Sequence, residues 1–242
     1  MQITILGDGP LGIAVADAAR DRSDDVLVVG RPGSGRHDPA ALFDADVVVE
    51  ASRPDAVATN IAGALDAGCR RFVVATTAWT ADRDLVAGLL VGHGAAAVAA
   101  SNFSLGVALF GRLVDRAVEL FGRVDDFEPY LVEWHRRGKL DRPSGTARDL
   151  TTRIVAGHPR LDAPGDLEVV AIRAGSSPGM HLVGFDAPGE TLELRLTARD
   201  RSAYAAGILA AADWLVRTDR PAGLHPFDPI VDELLARHTV AA

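Results

Sequence analysis

The first hundred residues alternate short apolar runs with segments whose apolar positions repeat at helical spacing. The apolar runs are β-branched and short, as in strands buried on both faces, and strands of this kind that alternate with helices are typical of a parallel sheet. We therefore expect an α/β unit here. The predicted strands cover residues 3–6, 26–29, 47–50, 72–75 and 96–99, and the predicted helices cover residues 11–19, 55–67 and 80–90.

The pattern changes after Phe103. A long helix is predicted from about residue 104 to 121, and a strand, a helix and three further strands follow it. A turn at residues 187–190 joins the last two strands as a hairpin. This order indicates an α+β unit with a mixed, mostly antiparallel sheet, so we place a domain boundary near Ser104. The later elements are predicted at residues 129–134, 145–156, 167–173, 181–186, 191–197, 202–217 and 228–237.

Composition narrows the class of protein. The chain has 242 residues and a net charge of −8, which argues against a nucleic-acid or membrane-surface partner. Cys69 is the only cysteine, so no disulfide framework is expected and a reducing cytoplasm fits. The sequence opens on a predicted strand and has no apolar run that approaches a membrane span, so we expect a cytoplasmic protein without a signal peptide.

A glycine-rich turn follows the first predicted strand. It matches G-x-G-x-x-G between a strand and a helix, the fingerprint of a Rossmann-like cofactor domain whose glycines admit a pyrophosphate close to the backbone. A plain strand–turn–helix connection is the alternative. We expect residues 1–103 with 202–242 to form this dinucleotide-binding domain and residues 104–201 to form a substrate-binding and assembly domain. The predicted phosphate loop is Gly7, Asp8, Gly9, Pro10, Leu11 and Gly12.

The end of the second strand bears on the choice of cofactor. An acid normally stands there and binds the adenosine ribose of NAD, whereas this chain has Gly30 and Arg31. Arg31 could pair with a 2′-phosphate, which favours NADPH and leaves NADH possible; an exposed loop arginine is the alternative. Loops after the third and fourth strands, with Ser52, Arg53, Thr76 and Thr77, should line the same crevice, unless they serve only as turns and helix caps.

The segment from residue 133 to 147 carries the candidate chemistry. His135 and Lys139 stand four residues apart, and a Pro-Ser-Gly-Thr turn that should open a helix follows at once. The free N–H groups of a helix N-terminus attract carboxylate or phosphate. We therefore expect a site that protonates a substrate while it holds an anion, although a solvated lysine and a surface histidine would be the ordinary interpretation of either residue alone. A local basic pocket is expected from Arg136, Arg137, Lys139, Arg142 and Arg148.

With these residues the chain resembles the 4-hydroxy-tetrahydrodipicolinate (dihydrodipicolinate) reductases of bacterial lysine biosynthesis. The central signature of that family is similar to Glu-x-His-His-x-x-Lys-x-Asp-x-Pro-Ser-Gly-Thr-Ala. Two departures stand out, since Arg136 replaces the second histidine and Trp134 occupies a position that is usually small. Further matching stretches are residues 52–54, 76–77, 100–107 and 173–175, with Arg201.

The resemblance implies a homotetramer that transfers hydride from NAD(P)H to a cyclic imine-type dicarboxylate in the lysine and diaminopimelate pathway. It implies that Lys139 is the proton donor and that His135 binds and polarises the substrate. Substrate contacts are then expected from Arg136, Ser144, Gly145, Thr146 and Arg201, and further cofactor contacts from Ser101, Asn102 and Phe103. No metal site is assigned.

Three functions remain open from the sequence. The first is reduction of 4-hydroxy-tetrahydrodipicolinate, and the second is reduction of another cyclic imine in specialised metabolism, which the two departures keep open. The third is a non-catalytic dinucleotide-binding protein, against which the retained His135 and Lys139 argue.

Overall fold

The computed structural model describes residues 1–30 and 45–239. Contacts divide the chain into two compact units, of which the first comprises residues 1–105 and 201–242 and the second residues 106–200. Arg31, the expected partner of a 2′-phosphate, lies outside the described residues.

The first unit contains a six-stranded sheet whose strand pairs are all parallel, in the order β10-β5-β4-β3-β1-β2. Side chains on both faces of its central strands are buried, which explains why these strands read as unbroken apolar runs. The predicted Rossmann-like fold is confirmed. Its strands are β1 (Gln2–Leu6), β2 (Asp25–Val29), β3 (Val47–Glu50), β4 (Arg71–Val74), β5 (Ala96–Ala99) and β10 (Gly223–His225).

Helices connect and cover this sheet. They begin and end close to the predicted positions, because the apolar spacing that marks a helix also marks the face that it buries. The strand β10 was not predicted, since three residues give no period to recognise. The helices are α1 (Pro10–Asp21), α2 (Val57–Asp66), α3 (Arg83–Gly92), α6 (Ser202–Arg217) and α7 (Asp228–Thr239).

The second unit contains a mixed four-stranded sheet in the order β7-β6-β8-β9. Strand β6 (Glu128–His135) pairs in parallel with β7 (Glu168–Arg173) and antiparallel with β8 (Met180–Ala187), and β8 forms a hairpin with β9 (Glu190–Thr197). The predicted mixed sheet is therefore confirmed.

Among the described residues of the second unit, helices cover one face of this sheet. Helices α4 (Leu105–Phe121) and α5 (Gly145–Gly157) contribute to a core that also contains Leu131, Val183 and Phe185 from the sheet. Alternate residues of β6 are therefore buried, as a strand covered on one side requires. Within the described residues, no helix has the length and apolar composition needed to cross a membrane.

Candidate active site

The glycine turn after β1 has the geometry that its sequence requires. Gly7 has a φ of +124°, and a Cβ there would lie 2.4 Å from the carbonyl oxygen of Ala51, so only glycine fits. A Cβ on Gly12 would lie 2.0 Å from the carbonyl oxygen of Gly7 and would clash with it. Glycine at this position therefore allows the helix to approach the turn closely. A Cβ on Gly9 would have no neighbour within 4 Å, which leaves its surroundings open to a ligand.

Helix α1 begins directly after this turn with Pro10, and its N-cap Gly9 makes no side-chain hydrogen bond to the first turn. Asp8 is exposed and Leu11 is half-buried. The first N–H groups of α1 and the open space at Gly9 together fit a pyrophosphate. The residues present therefore suit the phosphates of a dinucleotide.

Two predicted cofactor residues, Ser52 after β3 and Thr76 after β4, are connected by hydrogen bonds to one carboxylate, which was not predicted from the sequence. Glu50 is fully buried and accepts hydrogen bonds from the hydroxyls of Ser52 and Thr76, and from Asn60 Nδ2 at 3.0 Å. Glu50 therefore fixes both hydroxyls at the carboxyl edge of the sheet. Arg53 pairs with Asp55 at 2.7 Å, and Thr77 is exposed.

The segment after β5 lies at the same edge. Asn102 Oδ1 accepts the backbone N–H of Ser104 at 2.8 Å, and Ser101 is exposed. Phe103 is 3% exposed and packs on Phe227 with a ring separation of 5.1 Å. The structure thus brings the predicted cofactor residues of β1, β3, β4 and β5 to neighbouring strand ends. Arg201 is the N-cap residue of α6, also in the first unit.

The second group of predicted residues surrounds Glu133 in the second unit. Glu133 is fully buried, and its Oε1 accepts the backbone N–H of Ser144 at 2.9 Å and Arg173 Nη2 at 2.7 Å. Its Oε2 faces His135 Nδ1 at 3.4 Å and His181 Nε2 at 3.6 Å. One carboxylate therefore joins three strands and the turn before α5.

Strand register explains this cluster. Glu133 lies directly opposite His181 on β8, and His135 lies opposite Arg173 on β7. Glu133 and His135 are two residues apart, so both side chains point to the covered face. The rings of His135 and His181 meet edge to face at 5.2 Å.

Burial and charge set the protonation of the cluster. Burial raises the pKa of Glu133, but hydrogen bonds from Ser144 and Arg173 outweigh it and leave the pKa below its usual value. Burial, aided by the charges of Lys139 and Arg173, lowers the pKa of His135 against the opposing effect of Glu133. Burial and the neighbouring His135 lower the pKa of His181 to about 4. At neutral pH the cluster thus holds an ionised carboxylate beside two neutral rings.

Lys139 has an acidic partner that the sequence argument overlooked. Its Nζ lies 2.6 Å from Asp141 Oδ1, and the Asp141 carboxylate also accepts the backbone N–H of Gly145. Burial raises the pKa of Asp141, but Lys139 and these backbone groups bring it below its usual value. A resident carboxylate thus occupies a donor of the α5 N-terminus that was predicted to bind an anion.

The turn that opens α5 was correctly predicted. Ser144 is the N-cap, and its Oγ accepts the backbone N–H of Ala147 at 3.1 Å and lies 3.2 Å from His181 Nε2. Gly145 begins the helix and is exposed, while Thr146 is half-buried. His135, Lys139 and the helix N-terminus therefore lie in one connected network.

The two departures from the family signature have different positions. Arg136 is exposed at the end of β6, and its carbonyl oxygen accepts the N–H of Lys139. Trp134 alternates with Glu133 and His135, so it lies on the opposite face of the sheet, where its Nε1 donates to the Ala174 oxygen at 2.9 Å. Its bulk therefore bears on the outer face and not on the Glu133 cluster.

Several residues of the network were missed as functional candidates. Glu133 and Arg173 were noticed only as parts of matching stretches, and His181 was not noticed at all, because strand register cannot be read from sequence spacing. One available signal was overlooked: of the 25 lysine and arginine residues, Lys139 is the one lysine. A lysine can transfer its proton whereas an arginine does not give it up, so the one lysine of this chain is a candidate proton donor.

The same cluster has to be considered as a metal centre. One ligand atom each of Glu133, His135 and His181 lies within 4.8 Å of the others, a donor set that zinc accepts. However, the guanidinium of Arg173 already pairs with Glu133, and Lys139 acts on both rings. Two resident cations disfavour the binding of a third. The arrangement is better explained as a carboxylate that orients a histidine than as a metal site.

Comparisons with known proteins agree with this picture. A family model described as the C-terminus of dihydrodipicolinate reductase matches residues 106–228. The 4-hydroxy-tetrahydrodipicolinate reductase of Halorhodospira halophila is 33% identical over 91% of this chain and 79% of its own length. That of Haloarcula marismortui is 35% identical over 93% of this chain and 91% of its own length.

Solved structures share the fold. A dipicolinate-bound dihydrodipicolinate reductase from Paenisporosarcina sp. TG-14 matches with a TM-score of 0.72 at 17% identity, over 93% of this chain and 97% of that one. A DAP dehydrogenase of C. glutamicum matches with a TM-score of 0.51 at 14% identity, over 98% of each chain.

The chain is an oxidoreductase that uses a nicotinamide dinucleotide, as its fold, its glycine turn and its relatives together indicate. More narrowly, the chain belongs to the dihydrodipicolinate reductase family. The predicted family and enzyme class are thereby confirmed, and the two alternative functions are not favoured.

Proposed function

We propose that this protein reduces 4-hydroxy-tetrahydrodipicolinate to tetrahydrodipicolinate with NAD(P)H, in lysine and diaminopimelate biosynthesis. The observation that carries the proposal is the network of His135, Lys139 and the α5 N-terminus around Glu133, in a chain of this family. The network offers an ammonium proton, a neutral imidazole and anion-binding N–H groups. A cyclic imine with two carboxylates requires these groups.

The first unit binds the dinucleotide and the second binds the substrate. Gly7–Gly12 hold the pyrophosphate, and the loops with Ser52, Arg53, Thr76, Thr77 and residues 101–103 line the remainder of the cofactor. When bound, the reduced nicotinamide supplies the hydride. The residues of the second unit that hold the substrate are Arg136, Ser144, Gly145 and Thr146. Arg201, which the resemblance also implies as a substrate contact, belongs to the first unit.

Lys139 is the proton donor of this reaction, and His135 binds and polarises the substrate. The Ser144, Gly145 and Thr146 N–H groups hold a carboxylate through the positive end of α5. A bound carboxylate has to replace Asp141 at the Gly145 N–H, and this exchange frees Lys139 for the substrate.

NADPH is the proposed physiological cofactor. Strand β2 ends at Val29, and no acid follows in Gly30-Arg31 to repel a 2′-phosphate. The variant Arg31→Ala should therefore weaken NADPH more than NADH, by about 1.5–3 kcal/mol, the range of a charge-assisted hydrogen bond. Titration of both dinucleotides tests this, and an equal loss for both would remove Arg31 from the 2′-phosphate site.

Assembly into a homotetramer through the second unit is part of the proposal. The outer face of its sheet exposes Trp134, Val170 and Ile172 at 39%, 42% and 38%. Exposed apolar surface of this kind marks interfaces.

The test of the activity is NADPH oxidation with freshly made 4-hydroxy-tetrahydrodipicolinate, beside a panel of other cyclic imine carboxylates. The proposal expects the highest kcat/KM for the hydroxylated dicarboxylate. A higher value for an imine with one carboxylate would contradict it.

A further inference from the structure

The carboxyl edge of the first sheet contains a buried carboxylate, Glu50, whose place follows from strand order. The order of the strands reverses at β1, since β2 lies on one side of it and β3 on the other. Ligands of open parallel sheets bind outside the carboxyl ends of the strands at such a point. Glu50 is the last residue of β3 and lies in register with Leu6, which precedes the glycine turn.

This position belongs to the nicotinamide half of the proposed cofactor site. With the pyrophosphate on the turn after β1 and the adenosine ribose at the end of β2, the rest of the dinucleotide extends in the opposite direction, over the ends of β3 and β4. Glu50 is also close to the turn itself. A Cβ on Gly7 would lie 2.4 Å from the carbonyl oxygen of Ala51, the residue that follows Glu50.

The hydrogen-bond partners of Glu50 within the described residues are uncharged donors. Its Oε1 accepts the Ser52 hydroxyl, the Ser52 N–H at 3.3 Å and Asn60 Nδ2 at 3.0 Å, and its Oε2 accepts the Thr76 hydroxyl. Such a set of donors around a fully buried side chain suits an ionised carboxylate. A buried charge is normally paired with a charge of opposite sign.

The counter-charge that Glu50 lacks in the protein is available in the cofactor. Arg53, in the loop after β3, pairs with Asp55 at 2.7 Å, and none of the ion pairs among the described residues includes Glu50. The nicotinamide ring is neutral in the reduced dinucleotide and carries a positive charge in the oxidised one. A carboxylate buried beside this ring therefore attracts the oxidised form and not the reduced form, and little water screens the attraction.

Glu50 also sets the direction of the two hydroxyls at this edge. An ionised carboxylate only accepts hydrogen bonds, so the protons of the Ser52 and Thr76 hydroxyls point to it. Asn60 Nδ2 donates in addition to Ser52 Oγ at 3.0 Å. Both hydroxyl oxygens therefore turn lone pairs and not protons toward a ligand, which adds to the preference for a positive ring.

We propose that Glu50 is a positioning residue whose buried charge, together with the two hydroxyls that it orients, raises the affinity of the crevice for the oxidised dinucleotide relative to the reduced one. The ring becomes positive as hydride departs, so the same charge stabilises the transition state of hydride donation. This inference rests on the proposed function and deepens it, because it assigns a role to a residue that does not itself touch the substrate.

The experiment compares the two oxidation states of the cofactor on one protein. Titration of NADPH fluorescence, and displacement of NADPH by NADP⁺, give two values of Kd whose ratio does not depend on the fraction of protein that is folded. Glu50→Gln removes the charge and keeps the size, and Glu50→Asp keeps the charge. Asp66→Asn, an exposed carboxylate at the end of α2, is the matched control.

Glu50→Gln should raise the ratio of Kd for NADP⁺ to Kd for NADPH about 10-fold, the effect of one charge at about 12 Å under an effective dielectric constant of about 20. Glu50→Asp and Asp66→Asn should keep the wild-type ratio. An unchanged ratio in Glu50→Gln, or the same rise in Glu50→Asp, would overturn the inference alone. Wild type that binds neither dinucleotide would overturn the proposed function as well.

A second variant covers the case in which Glu50→Gln does not fold. Asn60 is half-buried and donates to Glu50, so Asn60→Lys places an ammonium beside the carboxylate without removing it. The added charge should neutralise Glu50 and raise the same ratio about 10-fold, whereas Asn60→Gln, which adds no charge, should leave it unchanged. Equal ratios in Asn60→Lys and Asn60→Gln would overturn the inference.

Discussion

Lys139 is the residue on which the proposed chemistry depends most directly. Replacement by methionine removes the proton, whereas replacement by arginine keeps the charge but offers no transferable proton. Both variants should therefore lower kcat by about 10²–10⁴-fold and leave NADPH affinity unchanged. The measurement is steady-state kinetics beside dinucleotide titration. Near-wild-type turnover in Lys139→Arg would show that Lys139 acts only through its positive charge and not as a proton donor.

The uniqueness of Lys139 offers a direct observation. Protein labelled with nitrogen-15 at the lysine side chain has one labelled site, so its signal reports Lys139 alone. Addition of a dicarboxylate should shift that signal if the Asp141 pair is exchanged for substrate.

His181 should make stability depend on pH. Its folded pKa of about 4 lies below the ordinary 6.5, so the folded state resists protonation. The neutral His181 ring makes its full contribution to the free energy of unfolding above pH 6.5. This contribution is lost as the pH falls from 6.5 to about 4. A difference of this size corresponds to about 3 kcal/mol of unfolding free energy. Thermal unfolding across this range should show a steeper loss in wild type than in His181→Gln, and parallel curves would contradict the assignment.

His135, Lys139 and Ser144 could be proposed as site residues from the sequence alone, because they lie within one short segment with a helix-opening turn. It could not identify the roles of Glu133, Arg173 and His181. These residues come from three strands, and only the register Glu133–His181 and His135–Arg173 brings them together.

At the scale of elements, the N-terminus of α5 is the proposed anion site, and Asp141 would compete with a substrate carboxylate for it. The variant Asp141→Asn removes the competing charge while it keeps the side-chain size. Affinity for dipicolinate should rise about 5- to 10-fold, equivalent to roughly one net hydrogen bond. Calorimetry of the NADPH-bound protein measures this, with Asp149→Asn in the same helix as control. Weaker binding would show that Asp141 organises the site instead of occupying it.

The alternation of strands and helices in the first unit could be predicted because each apolar run has a face to bury. The glycine turn could also be predicted, because a Cβ at Gly7 or Gly12 would collide with neighbouring backbone atoms, so that only glycine fits there. Strand β10 could not be predicted, because its three residues are too few to show a period. It pairs with β5, which lies far from it in sequence. Trp134 lies on the outer face because side chains alternate along β6, a position that the sequence analysis did not assign.

At the scale of the whole molecule, the outer face of the second sheet should drive assembly. The variant Trp134→Glu places a charge on this face and leaves the indole hydrogen bond to Ala174 unmade. Sedimentation at micromolar concentration should show a tetramer for wild type and smaller species for the variant. A wild-type monomer would contradict the proposed assembly, and an unchanged tetramer in Trp134→Glu would place the interface elsewhere.

The reaction itself can be measured directly. The most direct measurement mixes the protein with NADPH and freshly made 4-hydroxy-tetrahydrodipicolinate and follows NADPH absorbance together with the organic product by mass spectrometry. Wild type should form one tetrahydrodipicolinate for each NADPH oxidised, and Lys139→Met should form almost none. Absence of tetrahydrodipicolinate in wild type, or equal yield from the two proteins, would contradict the proposed function.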